Sequence, residues 1–457
     1  MTHRFIPITD QDRAAMLQTI GVNAVDDLFC DVPAEARNPK LNLPSALSEL
    51  DLMRELQQMS ARNMNVTDHA SFLGAGAYNH FIPATVPHLI FRSEFYTAYT
   101  PYQAEISQGT LQSIFEYQSM ICALTGMDVA NASHYDGATA AAEAAILAIN
   151  QLPGRDKVIV CPTLHPEYRA TLRTYLEGQG IQIVGDGDTR ATFEQVVDKH
   201  LDDKTACVLV GNPDFLGQMR DLKPYADRVH AAGALFIVGA YPISLGLYPP
   251  PGEYGADVVF GDGQSLGNPL AFGGPYLGIF ATKKAFMRKI AGRLVGQTVD
   301  TQGRRGFVLT LQAREQHIKR EKATSNICTN QALNALAACV YLSTLGKTGL
   351  RQVAELCYQK AHYAAKKINA LAGYRVDLKK EFFDEFVVEC PSPVAEINAH
   401  LRNHGIIGGY DLSRDYPHLG HAMLVAVTEM NTREQIDALA KALGQVKRKK
   451  LKAKSKN

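Results

Sequence analysis

The spacing of apolar residues changes character three times along this 457-residue chain. From Leu47 to Asn63, Leu and Met recur at helical spacing with charged residues between them. This predicts an amphipathic helix within a largely helical opening segment. Residues 72–110 then lose all periodicity and are dense in Gly, Pro, His and Tyr. Too broken for a core and too aromatic for an idle linker, such a segment lies over a site or an interface. From Leu111 a third rhythm begins, with predicted helices at 111–126, 137–150, 165–180 and 222–233. They alternate with short β-rich runs at 157–162, 181–188, 206–213, 234–242, 256–263 and 276–282. Runs with few internal polar residues, separated by helices, indicate a mainly parallel sheet covered on both faces. Ligands bind at the C-terminal ends of such strands, where Asn212-Pro213, Gly239 and Gly261-Asp262-Gly263 fall.

Beyond residue 310 the pattern turns helical again. Asn330–Gly346 and Leu350–Gly373 are Ala/Leu-rich and each closes on Gly, as a C-cap does. A strand-like DEFVVECP, a helix from near Ser392, a turn IIGGYDL, a strand AMLVAVT and a last helix near 432–446 complete a compact α+β unit. The expected class is α/β, a large mainly parallel-sheet domain followed by a smaller C-terminal α+β domain. Its predicted parts are a helical arm (1–70), the large domain (71–310), a helical linker with the small domain (311–446) and a tail (447–457).

Charge and cysteine usage narrow the classes further. The net charge is +1, but residues 447–457 hold seven Lys/Arg and no acid; without those charges the body stands at −6. A mildly acidic body argues against nucleic acid as the main partner, and the basic tail is expected to be solvated. Eight scattered cysteines without a C-x-x-C pair suit reduced thiols. The start MTHRFIPITDQDR has no apolar signal core and no apolar run approaches a membrane span, so the expected location is the cytoplasm. His418 and His421 lack a third ligand nearby in sequence, and no metal site is expected.

Two strings carry most of the chemical information. Arg314 to Lys322 reads as a highly charged helix. It runs into a small polar turn, Ala323-Thr324-Ser325-Asn326, with Thr329 or Asn330 placed to cap the next helix. Such a turn is either a solvated connection or a cradle of exposed amides for an anion. The second string, residues 99–140, ends in Ser133-His134-Tyr135-Asp136-Gly137-Ala138-Thr139 ahead of an Ala-rich helix. A small-residue loop at a helix N-terminus is a ready anion site. The plainer reading, slightly favoured, is a helix start with Asp136 or Thr139 as N-cap.

Together these strings resemble the P-protein family of the glycine cleavage system, over nearly the whole chain apart from the tail. The resemblance implies the fold-type I pyridoxal-phosphate-enzyme architecture. Such an enzyme needs a Lys to bind the cofactor aldehyde and an Asp to keep the pyridine nitrogen protonated. The Lys belongs after the strand ADVVFGDG, yet no Lys lies between Lys223 and Lys283; Gln264 stands there, or Ser265 in another register. Val238 stands where the Asp belongs.

The resemblance supplies the interpretation: in its two-chain form the family pairs a lysine-bearing chain with a lysine-free paralogue of this type. It implies pyridoxal phosphate in the partner chain and none held covalently here, with no residue of this chain confidently catalytic. It also implies two copies of each chain, and a lipoylated H-protein accepting the aminomethyl group cut from glycine. Residues expected to reach the partner's site or the substrate are Tyr78, Asn79, His80, Tyr99, Tyr102, Gln103, Glu105, Arg314, Ser325 and Asn326. For the loop residues among them, packing a subunit interface is the plainer alternative. Two other functional classes stay open: a non-catalytic regulatory paralogue, and a self-sufficient aminotransferase-like enzyme.

Overall fold

A computed structural model describes residues 5–37, 39–98, 100–323, 325–327 and 331–446. The chain forms two units, Met1–Asn63 and Met64–Asn457. In the first, helix α1 (Asp10–Ile20) starts on a Thr9–Asp12 capping box and stops at Gly21, whose φ of 85° only glycine adopts freely. Helix α2 (Glu49–Ser60) is capped by Ser48. Neither helix has a buried residue, and Leu50, Met53, Leu56 and Met59 are all exposed.

The second unit is organised by a seven-stranded sheet. In chain order its strands are β1 (Val129–Ala130), β2 (Lys157–Val160), β3 (Gln182–Val184), β4 (Thr205–Asn212), β5 (Leu235–Ala240), β6 (Val258–Asp262) and β7 (Gly278–Thr282). The spatial order is β1-β7-β6-β5-β4-β2-β3, parallel from β3 across to β6 and antiparallel at β7 and β1. Every residue of β4 is buried, as a strand covered on both faces requires. One face packs on helices α4 (Gly137–Gln151) and α5 (Pro166–Leu176); the alanines of α4 bring it close to Leu209, Ile237 and Phe260. The other face, with Val210, Phe236 and Val238, packs on α3 (Gln108–Thr125), α6 (Phe193–His200), α7 (Lys223–Ala231) and the first half of α8 (Ala332–Asn369).

Most predicted elements lie within a few residues of the observed ones. Helix α6, strand β1 and the hairpin β8 (Leu294–Val299) with β9 (Arg305–Thr310) were not anticipated. Helix α8 comprises the two predicted helices, broken at Gly346, where φ is 59° and ψ −173°. The charged helix expected over 314–322 is a correction: only Gln316–Lys319 is α-helical, between 3-10 turns at Gln312–Arg314 and Arg320–Lys322. Ile318 is the only aliphatic residue of that stretch, so there is no apolar stripe to hold a helix down. The Arg314 guanidinium is instead drawn onto the carbonyls of Ile290 and Gly292. Thr329 and Asn330, expected to cap α8, lie outside the described residues.

The C-terminal core gathers the antiparallel strands β10 (Glu385–Glu389), β11 (Tyr410–Asp411) and β12 (Ala422–Ala426), in the order β10-β12-β11. Helices α9 (Val394–Arg402) and α10 (Arg433–Gly444) and the end of α8 cover it. Residues 70–72 belong here too: Ala70 and Ser71 pair with Ile406 and Ile407, and Phe72 is fully buried in this core. The loop after residue 72 therefore starts from the small domain and crosses to the sheet's C-terminal edge. Phe260→Ala, which empties the face under α4, is expected to lower stability by about 3–5 kcal/mol, read from urea denaturation midpoints.

Candidate functional site

A cavity of about 90 Å³ opens where β4, β5 and β6 end. That is well under the roughly 300 Å³ at which organic-ligand pockets begin. Gln264, at the expected lysine position, is 2% exposed and committed to backbone. Its Oε1 accepts from the Tyr78 N–H at 2.8 Å, and its Nε2 donates to the Tyr78 and Asn268 carbonyls at 3.0 and 2.8 Å. Ser265, the alternative in another register, also lines the cavity, with a buried hydroxyl that has no hydrogen-bond partner among the described residues. Val238 does not line it. Its side chain lies in the core on the α3 face, and the cavity wall on β5 is Gly239, Ala240 and then Tyr241. The cavity opens at the last residues of β5, and Val238 lies deeper in the strand, packed within that core. A Cβ at Gly239 would meet the Phe260 ring at 2.7 Å, so no acid fits there.

The cavity walls are acidic. Asp214, Asp262 and Glu385 line them without a Lys or Arg among the lining residues. Asp214 is paired with Arg220 at 2.6 Å. Glu385 Oε1 accepts from the Ala75 N–H at 2.6 Å and Oε2 from the Tyr78 hydroxyl at 2.7 Å; burial pushes its carboxyl up to about 7. Asp262 takes the N–H of Gly137 at 3.1 Å and of Gln264 at 2.9 Å, and burial outweighs those bonds, raising it also to about 7. The residues therefore do not suit pyridoxal phosphate. There is no amine for its aldehyde and no acid on β5 for its ring nitrogen. Carboxyls stand where its phosphate needs donors.

Beside the cavity, His80 is buried. Its Nδ1 meets Glu429 Oε2 at 2.7 Å, and its Nε2 is hydrogen-bonded to the Tyr241 hydroxyl. Cys357 joins Glu429 at 3.3 Å, so ligand atoms of His80, Cys357 and Glu429 lie within 4.8 Å of one another. Both ring nitrogens of His80 are engaged, and burial and Glu429 push the Cys357 thiol well above its ordinary range. This is a self-satisfied hydrogen-bond network.

The aromatic segment 74–109 thus divides. Tyr78 and His80 turn into this chain's own cavity region rather than outward, and the Asn79 carbonyl is held by the Thr428 hydroxyl at 2.6 Å. Tyr102, Gln103 and Glu105 are exposed, and Tyr99 lies outside the described residues. Tyr102 meets the second sequence motif: Arg293 donates to its hydroxyl at 3.1 Å and sits 5.5 Å from its ring centre, while His317 lies edge-on at 5.6 Å. Glu315 lies 4.0 Å from Arg293 and 3.7 Å from His317. Arg314 is spent on backbone carbonyls, as above.

Ser325 faces inward: its hydroxyl donates to Glu143 at 2.5 Å, while Asn326 is exposed at the rim of a neighbouring cavity of about 270 Å³. His134 lines that cavity and is lowered to about 3 by burial and by Arg314. Sequence reasoning missed Tyr168, Arg293 and Glu385. Only Glu385 left a signal, an acid beside Asp384 at the head of the strand-like run DEFVVECP.

Comparison with known proteins follows the same lines. Residues 3–443 match the family model described as glycine cleavage system P-protein. A protein of Thermomicrobium roseum named glycine dehydrogenase (decarboxylating) subunit 1 is 56% identical over 441 residues, covering 96% of this chain and 98% of that one. The Bacillus mycoides protein of that name is 54% identical over 448 residues, covering 98% and 100%. A crystal structure of glycine decarboxylase (P-protein) of the glycine cleavage system in inhibitor-bound form superposes with a TM-score of 0.88 at 44% identity, covering 97% of this chain and 99% of that one. Sphingosine-1-phosphate lyase of Burkholderia pseudomallei shares the fold alone, with a TM-score of 0.64 at 15% identity over 90% and 94% of the two chains. The fold is that of fold-type I pyridoxal-phosphate enzymes.

Glu143 gives a pH-dependent test of this region. Burial raises its carboxyl from 4.5 to about 7. Its contribution to stability is therefore full below about pH 4.5 and lost as pH rises through 7. Glu143→Gln is expected to match the parent chain at pH 4.5 and to exceed it by about 3 kcal/mol at pH 8. Urea titrations at the two pH values check this; an equal shift at both would contradict it.

Proposed function

The chain belongs to the glycine cleavage system P-protein family, and on that footing we propose that it is the lysine-free subunit 1 of a glycine decarboxylase built from two different chains. The observation that carries the reading is Gln264. The side chain at the lysine position is an amide already bonded to the Tyr78 backbone. The whole enzyme decarboxylates glycine and passes the aminomethyl group to the lipoyl arm of the H-protein. The electron sink for that chemistry is the pyridoxal phosphate of the lysine-bearing partner, with two copies of each chain in the cytoplasmic assembly. This chain supplies folded surface and polar groups beside the partner's site, and a site enclosed between two chains keeps water from the reacting carbanion.

The outward group best suited to that role is Tyr102 with Arg293, Glu315 and His317, because it joins both sequence motifs and keeps Tyr102 and His317 accessible. A self-sufficient aminotransferase-like enzyme is disfavoured, since no lysine lines the cavity. A purely regulatory paralogue would leave the partner active on its own.

Co-expression with the lysine-bearing chain followed by a glycine–bicarbonate exchange assay tests the reading. Exchange is expected from the pair and from neither chain alone; exchange by the partner alone at full rate would overturn it. Borohydride reduction and peptide mapping of the pair should find pyridoxyl-lysine only in the partner. In the assembled pair, Tyr102→Phe is expected to lower kcat and kcat/KM together by roughly tenfold, about 1.4 kcal/mol. Unchanged exchange in dilute protein would remove this segment from the site. His80→Ala tests folding instead, because it strands the buried Glu429 carboxylate at a cost of about 3–5 kcal/mol.

A further inference from the structure

We infer that the anion seat of this chain's own cofactor pocket is closed from within, by the Asp262 carboxyl at the N-terminus of α4 with Tyr168 wedged beside it. The inference rests on the proposal that this chain carries no cofactor, and deepens it: the pocket has lost more than its lysine. In a helix that receives a phosphate, the first-turn N–H groups are left for the ligand. In α4 three of them are taken by the chain itself. Asp136 N–H goes to Thr139 Oγ1 at 3.1 Å, Gly137 N–H to Asp262 Oδ2 at 3.1 Å, and Thr139 N–H to Asp136 Oδ1 at 2.8 Å.

Asp262 is held in that pose by its other oxygen, which accepts from the Gln264 N–H at 2.9 Å. Tyr168 closes the remaining approach. Its hydroxyl lies so near Gly137 that a Cβ built there would sit 2.1 Å from it. The His165 ring stacks on Tyr168 at 4.8 Å and 25°, and His165 is tied by Nε2 to the Ala75 carbonyl at 2.9 Å. The seat is thus filled by a carboxyl from β6, a phenol from α5 and a histidine anchored to the 74–80 loop. A phosphate would have to displace Asp262 and then face Asp136 at the helix start, with Asp214 and Glu385 on the walls of the same cavity. Returning a lysine at position 264 leaves all of this in place.

The test reads inorganic phosphate binding rather than activity, so its failure is separable from failure of the exchange assay. The full chain is assembled with its cofactor-loaded partner and titrated calorimetrically with phosphate at constant ionic strength. The parent assembly serves as reference. Asp262→Ala is expected to bind one added phosphate per copy of this chain at least roughly tenfold more tightly than the parent. Asp262→Asn, which keeps the shape of the plug, should stay as blind to phosphate as the parent, as should Gln264→Lys. If Asp262→Ala does not fold, Asp262→Ser carries the test. It keeps an acceptor for the Gln264 N–H while freeing that of Gly137, and the same gain is expected. Parent protein that binds phosphate as tightly as the emptied variants, or a folded emptied variant that gains nothing, overturns the inference. So does an Asp262→Asn or Gln264→Lys variant that gains as much as Asp262→Ala.

Discussion

The polar edge of the sheet depends on a pair of hydrogen bonds between one side-chain amide and the backbone N–H and C=O of one residue. Gln264 offers Tyr78 an acceptor and a donor in the same geometry that a neighbouring strand would offer. Loop 74–80 is thereby sewn onto the end of β6. A lysine there would leave the Tyr78 N–H without its acceptor, inside a region where an unmet donor costs about 1–3 kcal/mol. At the position where the family resemblance expects a lysine, Gln264 therefore serves as a structural clamp.

The clamp sets the terms for the charges around it. Asp262, Glu385 and Glu429 are all removed from water, and a carboxyl so placed must be neutral, hydrogen-bonded or paired. Each finds a different answer. Asp262 takes backbone N–H groups at a helix start and Glu385 takes the loop's Ala75 N–H and the Tyr78 phenol. Glu429, nearly lost from water, takes His80 and the Phe81 N–H and is lowered, chiefly because His80 offsets the cost of burial. Glu385 and Glu429 tie the small domain to the 74–81 loop, and Asp262 ties the sheet edge to α4. The polar groups around this cavity are spent on cohesion.

The accessible Tyr102 and His317 stand elsewhere, against the nearly buried Arg293 and Glu315. These groups come from two loops and the hairpin that follows β7. This separation suits a chain that completes another chain's site: its inward pocket is spent on its own stability, and its accessible polar groups stand apart from it. Arg293, nearly buried at its guanidinium yet in contact with the half-exposed Tyr102 ring, links the two regimes.

Much of the fold was legible in the sequence because it follows from local rules. The alternation of buried β-runs with amphipathic helices marks a doubly covered parallel sheet, and glycines mark the break in α8 and the ends of helices. A missing lysine is likewise a property of composition over a defined stretch. How far along a strand the pocket begins is not, and so the sequence did not show that Val238 packs in the core while Gly239 and Ala240 line the cavity. The single aromatic segment 74–109 gave no sign that Tyr78 and His80 would turn inward while Tyr102 stayed at the surface. Nor did it show that Asp262, a turn-like residue in sequence, would lie against Gly137 some 125 residues earlier in the chain. By itself the sequence determined most of the elements, the family and the lack of any lysine between Lys223 and Lys283. Only the tertiary structure decided which polar groups meet, because a buried N–H or carboxyl is satisfied by whichever partner packing brings within reach, and that distance is set by the whole sheet rather than by neighbours in the chain.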